Sequence, residues 1–244
     1  MEALLRLAIL FTMLSTRTAL AGDGVQVQKE KKSLNLHICG ENQRQIMGIV
    51  NHSTGEIKYT IKPRLNKNYK IGAVFDGTHL ILEDESTIID RNVLFRYFTD
   101  GTRYIMVTTA KGGVEDSKVE ITEMIKKTDD MMYMPLVRWP LDLNLVDQHD
   151  ERFIKVTNGI KRGIIVYTTK NDMELDFFIG IVKYGRYIVD ERVDGVLKKM
   201  IQVDKRRNPW IITISAFLND GRFINLTYRI VGGIPMVSSR TGYY

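Results

Sequence analysis

The chain has 244 residues, of which 44% are hydrophobic and 26% are charged, with a formal net charge of +6. This composition excludes an intrinsically disordered chain, a collagen-like chain and a membrane protein with many spans. It provides enough apolar residues for one large or two small hydrophobic cores.

The first 21 residues have the pattern of a secretory signal peptide. An apolar run, Leu7–Leu14, follows a short start that contains Arg6, and Ala19-Leu20-Ala21 supplies the small residues that a signal peptidase reads. Gly22-Asp23-Gly24 then disfavours a continuing helix. We predict cleavage after Ala21 and a secreted chain with an exposed segment over 22–32. The alternative is an N-terminal core helix. No later run is long and apolar enough to span a bilayer.

Cys39 is the only cysteine. An exported chain with one cysteine has no internal disulfide, so we expect its stability to come from burial. Cys39 follows an alternating apolar segment, which predicts a buried and inert thiol. A reactive or intermolecularly paired thiol is the alternative.

Two parts of the chain resemble each other at an offset of 108 residues. Ungapped comparison of Ile57–Glu83 with Ile165–Glu191 gives nine identities in 27 positions, against about two expected by chance. The flanks are collinear, since Asp100-Gly101 matches Asp220-Gly221. We predict two tandem copies of one unit, residues 33–114 and 140–234, followed by a C-terminal tail over 235–244.

Each copy is predicted to consist of antiparallel strands. Leu34, Leu36 and Ile38 alternate with polar residues, as in a half-buried strand. The Asp-Gly pairs separate apolar runs, which is the pattern of a β-hairpin. Gly77 and Gly185 occupy matching positions and are predicted to turn a second hairpin in each copy.

The segment 115–139 between the copies has a different pattern. Ser117 and Glu120 have capping-box spacing, and Ile121, Met124 and Ile125 fall on one helical face. A connector with a short helix is therefore slightly favoured over a strand. The complete prediction is a mainly β protein with two tandem antiparallel β units and a short helical connector.

Four motifs of the predicted unit occur in a fixed order: an alternating strand (Pro140–Leu145), a Tyr-Thr centre (Tyr167–Lys170), a hairpin (Val182–Gly185) and a closing strand around an Asp-Gly turn. A unit with these motifs resembles the FAINT repeat of secreted piroplasm parasite proteins. The resemblance covers most of the mature chain, twice. It implies export from a parasite and contact with host material, with no biochemical activity assigned.

The sequence lacks the short motifs of common hydrolases and of nucleotide-binding enzymes. Its four histidines, at positions 37, 52, 79 and 149, do not have metal-ligand spacing. We predict a binding protein without catalytic activity, cofactor or metal. The alternative is a secreted hydrolase with a carboxylate pair drawn from Glu83-Asp84-Glu85 and Asp190-Glu191, although charged strand ends explain these residues more simply.

Positive charge provides the functional hypothesis. Removal of Arg6, Arg17 and Glu2 with the signal peptide changes the counts from 35 basic and 29 acidic residues to 33 and 28. The excess of positive charge is concentrated just before Trp210, and Lys161-Arg162 lies one strand earlier. Such a cluster can bind sulfated glycans, anionic lipid head groups or nucleic acid. The predicted partner-binding residues are Lys198, Lys199, Lys205, Arg206, Arg207 and Trp210.

We expect the partner of this surface to be a host or extracellular protein or an anionic glycan, without specific nucleic-acid recognition. A solvated loop beside a core tryptophan is the alternative. Two N-glycosylation sequons begin at Asn51 and Asn225. Asn51 lies in a polar loop and is the better candidate, because Asn225 falls within a predicted strand.

Overall fold

The computed structural model describes residues 30–112, 118–147, 149–159 and 161–243. The described chain divides into a first unit that ends at Leu136 and a second unit that begins at Val137. Each unit contains one three-stranded and one six-stranded sheet. The predicted mainly β fold with two units is confirmed. The predicted signal peptide over 1–21 lies outside the described residues.

The first unit contains nine strands. They are β1 (Lys32–Ile38), β2 (Ile46–Asn51), β3 (Glu56–Ile61), β4 (Tyr69–Asp76), β5 (His79–Leu82), β6 (Ile88–Tyr97), β7 (Arg103–Lys111), β8 (Lys118–Lys126) and β9 (Met134–Pro135), with one 3₁₀ turn at Pro63–Leu65. The small sheet has the order β1-β4-β5, and the large sheet has the order β2-β3-β6-β7-β8-β9.

The second unit has the same arrangement. Its strands are β10 (Trp139–Asn144), β11 (Ile154–Asn158), β12 (Ile164–Thr169), β13 (Phe177–Tyr184), β14 (Tyr187–Asp190), β15 (Val196–Asp204), β16 (Trp210–Leu218), β17 (Phe223–Val231) and β18 (Ile234–Tyr243). The small sheet has the order β10-β13-β14, and the large sheet has the order β11-β12-β15-β16-β17-β18.

The two units are mostly but not entirely antiparallel. β1 pairs with β4 in parallel, and β10 pairs with β13 in parallel. In both pairs the register shifts at the same place, between Leu34 and Leu36 and between Leu141 and Leu143. A parallel pair needs a long crossover connection. The hairpin β2–β3 is part of this connection in the first unit, and the hairpin β11–β12 is part of it in the second unit.

Alternation of side chains along the strands builds one core per unit. In β1, Leu34, Leu36 and Ile38 are buried, as their alternation with polar residues predicts. They pack with residues of the large sheet such as Val93 and Ile105. The second core is built in the same way around Ile201 and Ile212. Burial of these side chains provides most of the stabilisation in each unit.

In each unit, a buried basic side chain of the large sheet reaches the small sheet. In the first unit, Arg91 of β6 donates hydrogen bonds to the carbonyls of Gly72 and Glu83. In the second unit, Lys199 of β15 donates to the carbonyl of Gly180 at 2.6 Å. Lys199 Nζ also lies 2.6 Å from Asp190 Oδ2. A buried ammonium requires such partners, because desolvation lowers the pKa of Lys199.

The predicted hairpin glycines are confirmed. Gly77 joins β4 to β5 with φ +61°, and Gly185 joins β13 to β14 with φ +58°. Such angles strain residues that carry a Cβ atom. Asp100-Gly101 joins β6 to β7, and Asp220-Gly221 joins β16 to β17, as predicted.

The matching of these two Asp-Gly turns with each other is wrong. In the strand order, β6 corresponds to β15, so the turn at Asp100 corresponds to the loop 205–209. The turn at Asp220 lies one hairpin further on. The offset of 108 residues continues through this region instead, because Arg91 and Lys199 occupy equivalent positions.

The structure also differs from the predicted connector and tail. The segment around Ile121 is not helical; it forms β8, which pairs with β7 over nine residues. Residues 235–243 of the predicted C-terminal tail lie in β18, which pairs with β17 along its whole length. Both segments extend large sheets, β8 between β7 and β9 and β18 at the edge. In β8, the resulting backbone hydrogen bonds outweigh the weak helical spacing.

Candidate basic binding surface

Two neighbouring loops bring basic side chains to one end of the large sheet in the second unit. Loop 205–209 joins β15 to β16, and loop 159–163 joins β11 to β12. The Lys205 backbone N–H donates to the Gly163 carbonyl at 3.0 Å, which ties the loops together. We call this region the basic end. Its exposed basic residues are Lys161, Arg162, Lys205, Arg206 and Arg207.

Asp204, the last residue of β15, orients one of these side chains. Arg206 donates through Nε to Asp204 Oδ1 at 2.8 Å and through Nη2 to Oδ2 at 2.7 Å. These hydrogen bonds hold the pKa of Asp204 at about 2. The nearby Nε of Arg207 lies 3.6 Å from Asp204 Oδ2. The charge of Arg206 is therefore largely neutralised by the carboxylate of Asp204.

Gly163 allows the two loops to approach each other. Its φ is +87°, and a Cβ atom at this position would lie 2.7 Å from Cγ of Arg206. A side chain at position 163 would therefore displace Arg206. Arg206 acts as a structural link between the loops, whereas Lys161, Arg162, Lys205 and Arg207 are the side chains available to an anionic partner.

Trp210 lies beside these charges at the start of β16. Its side chain is 38% exposed, and Lys205 Nζ lies 4.9 Å from its ring centroid. This geometry is a cation–π contact, which orders the lysine side chain on the ring. Trp210 is consequently placed at the surface of the basic end rather than in the core.

The structure separates the other two predicted residues from this surface. Lys199 is 1% exposed and is the buried basic residue of the second unit, so its prediction as a surface contact is wrong. Lys198 lies at the opposite end of β15, where Nζ contacts Glu174 Oε1 at 3.0 Å. The adjacent lysines face different directions because side chains alternate along a strand.

Three of the five carboxylates proposed for the alternative hydrolase have cationic partners. Asp190 is buried against Lys199. Asp84 lies 3.7 Å from Lys70, and Glu85 lies 3.1 Å from Lys111. These ion pairs give the three side chains a structural role at the strand ends.

Cys39 is exposed, which corrects the prediction of a buried thiol. It follows β1 with a positive φ of 59°, so the chain turns away from the core after Ile38. Partial desolvation and the nearby Asp76 carboxylate raise the pKa of the Cys39 thiol. The residue borders an open cavity of about 710 Å³ in the first unit. Within it, Asp76 accepts hydrogen bonds from Arg103 and Tyr133.

The two sequons have different environments. Asn51 ends β2 in the turn to β3, and its Oδ1 accepts hydrogen bonds from the Ser53 N–H at 3.1 Å and from Ser53 Oγ at 2.8 Å. Asn225 lies in the middle of β17, where its Oδ1 accepts from Ser215 Oγ at 2.6 Å. The structure thus places Asn51 in a turn and Asn225 within a sheet.

Two features of the second unit are not among the predictions from the sequence. Asp204 was not recognised as the partner of Arg206, although an acidic residue two positions before an arginine at a strand end is a signal for such a pair. Gly232-Gly233 between apolar residues is a hairpin signal. The predicted second copy ends at residue 234, directly after these glycines, whereas the chain continues from them into β18.

Comparison with known proteins gave no match to a family model, to a curated protein or to a solved structure. In the part of the chain that the structure describes, no helix is long and apolar enough to cross a bilayer.

Proposed function

We propose that the protein is an exported binding protein without catalytic activity, and that it contacts a host or extracellular macromolecule through the basic end. The observation that carries this proposal is the convergence of loops 159–163 and 205–209. It places basic side chains from two separate parts of the chain beside an exposed tryptophan. Such a surface favours an anionic glycan or an acidic face of a protein.

The export part of the proposal is supported by the sequence of residues 1–21. The resemblance to FAINT repeats supports a parasite source and contact with host material. Mass spectrometry of the protein from the medium of expressing cells is expected to find Gly22 at the N-terminus. An intact Met1 would contradict export through a cleaved signal peptide.

The binding part is tested by retention on immobilised heparin, a sulfated glycan. The double variant Lys205→Glu and Arg207→Glu reverses two solvent-facing charges while leaving the Asp204–Arg206 link in place. We expect it to elute at markedly lower salt than the unmodified protein, because exposed charges are screened within about 10 Å at 0.1 M salt.

A matched control makes the same change in net charge on the first unit. Arg44 and Lys67 are both exposed, and the variant Arg44→Glu with Lys67→Glu is expected to elute close to the unmodified protein. Equal effects of the two double variants would show that retention reflects net charge alone, and would contradict a localised surface. A pull-down from host extracts, repeated with the same two double variants, would identify the natural partner.

A further inference from the structure

The basic end lies beside a third connection of the same sheet. Strand register places Ile164 opposite Asp204, Trp210 opposite Ile230, and Val231 opposite Ile234. The two basic loops and the β17–β18 turn therefore follow one another along a single end of the large sheet in the second unit. Gly232 and Gly233 make that turn with φ of +57° and +79°, as a tight hairpin requires.

The β17–β18 hairpin exposes large apolar side chains next to its turn. We call the group the apolar tip; it consists of Val231, Ile234, Met236 and Val237. Their exposed fractions are 49%, 47%, 55% and 70%. Clustered exposed apolar side chains on a soluble protein mark sites of interaction with proteins or membranes.

Charge at the two ends of this sheet has opposite sign. Segments 159–163, 204–210 and 229–237 contain six basic residues and one acidic residue, Asp204. The basic residues are Lys161, Arg162, Lys205, Arg206, Arg207 and Arg229. At the opposite end, the connections 170–176, 191–195 and 219–222 contain six acidic and three basic residues. The second unit is thus polarised along its strands, which would orient it towards an anionic surface.

We propose that this end of the second unit docks on an anionic lipid bilayer. The basic side chains bind the head groups, the apolar tip enters the interfacial layer, and Trp210 lies at the boundary between them. The inference rests on the basic end of the proposed function and assigns it an anionic lipid surface as its partner in place of a glycan or a protein. A lipid surface is favoured over a glycan because it has both an anionic layer and an apolar layer, whereas a sulfated glycan offers no medium for four exposed aliphatic side chains.

The test uses the secreted protein and sedimentation with lipid vesicles. One vesicle contains phosphatidylcholine alone, and the other contains about one third phosphatidylserine. We expect binding to the anionic vesicle only. The basic variant, Lys205→Glu with Arg207→Glu, is expected to bind at least about tenfold more weakly, since each basic side chain near a membrane contributes about fivefold.

The apolar variant, Ile234→Ser with Met236→Ser, separates insertion from charge. We expect it to bind anionic vesicles about tenfold more weakly and to keep its retention on heparin. Its matched control is Met131→Ser with Met132→Ser in the first unit, where the side chains are 83% and 66% exposed. This control is expected to bind vesicles like the unmodified protein. Thermal unfolding checks that every variant is folded.

Trp210 provides a second readout that does not depend on affinity. In a Trp139→Phe background it is the only tryptophan, and we expect its emission to shift to shorter wavelength on anionic vesicles and to be quenched by brominated lipid. Unchanged emission together with full vesicle binding of the apolar variant would overturn the insertion. Heparin retention that depends on Lys205 and Arg207, without vesicle binding, would overturn this inference and leave the proposed function standing. Absence of heparin retention together with absence of vesicle binding would overturn both this inference and the proposed function.

Discussion

Equivalent ends of the two large sheets differ in charge. In the first unit this end is formed by the connections 51–55, 98–102 and 127–133, which contain Asp100, Asp129 and Asp130 but only one basic residue, Lys127. In the second unit, all charged residues of the equivalent connections 159–163, 205–209 and 232–233 are basic. Both ends expose apolar side chains, such as Met131 in the first unit and Val237 in the second. The strand framework therefore does not determine the surface chemistry, and charge distinguishes the two units.

The interiors of the units show the opposite behaviour. Arg91 and Lys199 are different residues, yet each spans the two sheets and donates to the carbonyl of an equivalent glycine, Gly72 or Gly180. Packing constrains the core, whereas the loops have few neighbours and can change charge at little cost in stability. Function is accordingly expected in the loops that differ between the units.

The largest expected effect is the loss of the buried basic residue in the second unit. Lys199→Ala leaves Asp190 buried without its cation, and we expect it to reduce the free energy of unfolding by about 3–5 kcal/mol. Both tryptophans, Trp139 and Trp210, belong to the second unit. Urea unfolding followed by tryptophan fluorescence therefore measures this unit.

Arg91→Ala is the matched variant in the first unit. It is expected to destabilise the first unit and to leave the tryptophan transition unchanged. A tryptophan transition that moves equally in both variants would show that the units unfold together and would break the comparison. The conservative variant Lys199→Arg, which copies the first unit, is expected to be less destabilising than Lys199→Ala.

A smaller local effect is expected at the hairpin glycines. Gly185→Val and Gly77→Val each place a β-branched residue at a φ near +60°, which costs about 1–3 kcal/mol. No heavy atom lies within 4 Å of the position of a Cβ atom at Gly77, so backbone strain alone is tested there. Gly185→Val is expected to shift the tryptophan transition, and Gly77→Val is expected to leave it in place. The reverse pattern would contradict the assignment of these hairpins to separate units.

Short-range patterns in the sequence predicted the strands and hairpins correctly where the signal was local. Alternation identified β1, and the Asp-Gly pairs identified two turns. The segment of β8 was predicted as a helix because Ile121, Met124 and Ile125 have helical spacing. Its nine-residue pairing with β7 is a long-range interaction that spacing does not reveal.

The candidate surface was only partly predictable for the same reason. The basic residues of loop 205–209 were identified, but Lys199 was placed with them because charge was given more weight than strand alternation. Lys199 shares its strand face with Ile201 and Val203, both of which are buried. That period of two indicates an inward-facing side chain. The contact between loops 159–163 and 205–209 depends on tertiary structure.

The link between Asp204 and Arg206 predicts a dependence of second-unit stability on pH. Hydrogen bonds from Arg206 hold the pKa of Asp204 at about 2, below the ordinary value of 3.8. A carboxyl whose folded pKa is depressed stabilises the fold above its unfolded pKa, and this contribution disappears as the pH falls from about 4 through about 2. Asp204→Asn is therefore expected to flatten this part of the stability profile.

The measurement is tryptophan-monitored urea unfolding between about pH 4 and pH 2, with Asp129→Asn in the first unit as the control for removing one carboxylate. The control is expected to retain the slope of the unmodified protein. An unchanged slope in Asp204→Asn would mean that the pair does not persist in solution, and the orientation of Arg206 would then have to come from its packing on Gly163.

The smallest effect on stability is expected from N-glycosylation, which nevertheless distinguishes the equivalent ends of the two units. In a eukaryotic secretory host we expect a glycan on Asn51, which lies in a turn, and none on Asn225, which is hydrogen-bonded within a sheet. Glycosidase treatment should reduce the mass of the protein and of Asn225→Gln, but leave Asn51→Gln unchanged; an unchanged mass in all three would contradict the assignment. Since Asn51 lies at the end of the first unit that corresponds to the basic end, a glycan there would cover that end. Of these two equivalent ends, only the basic end of the second unit would then remain uncovered.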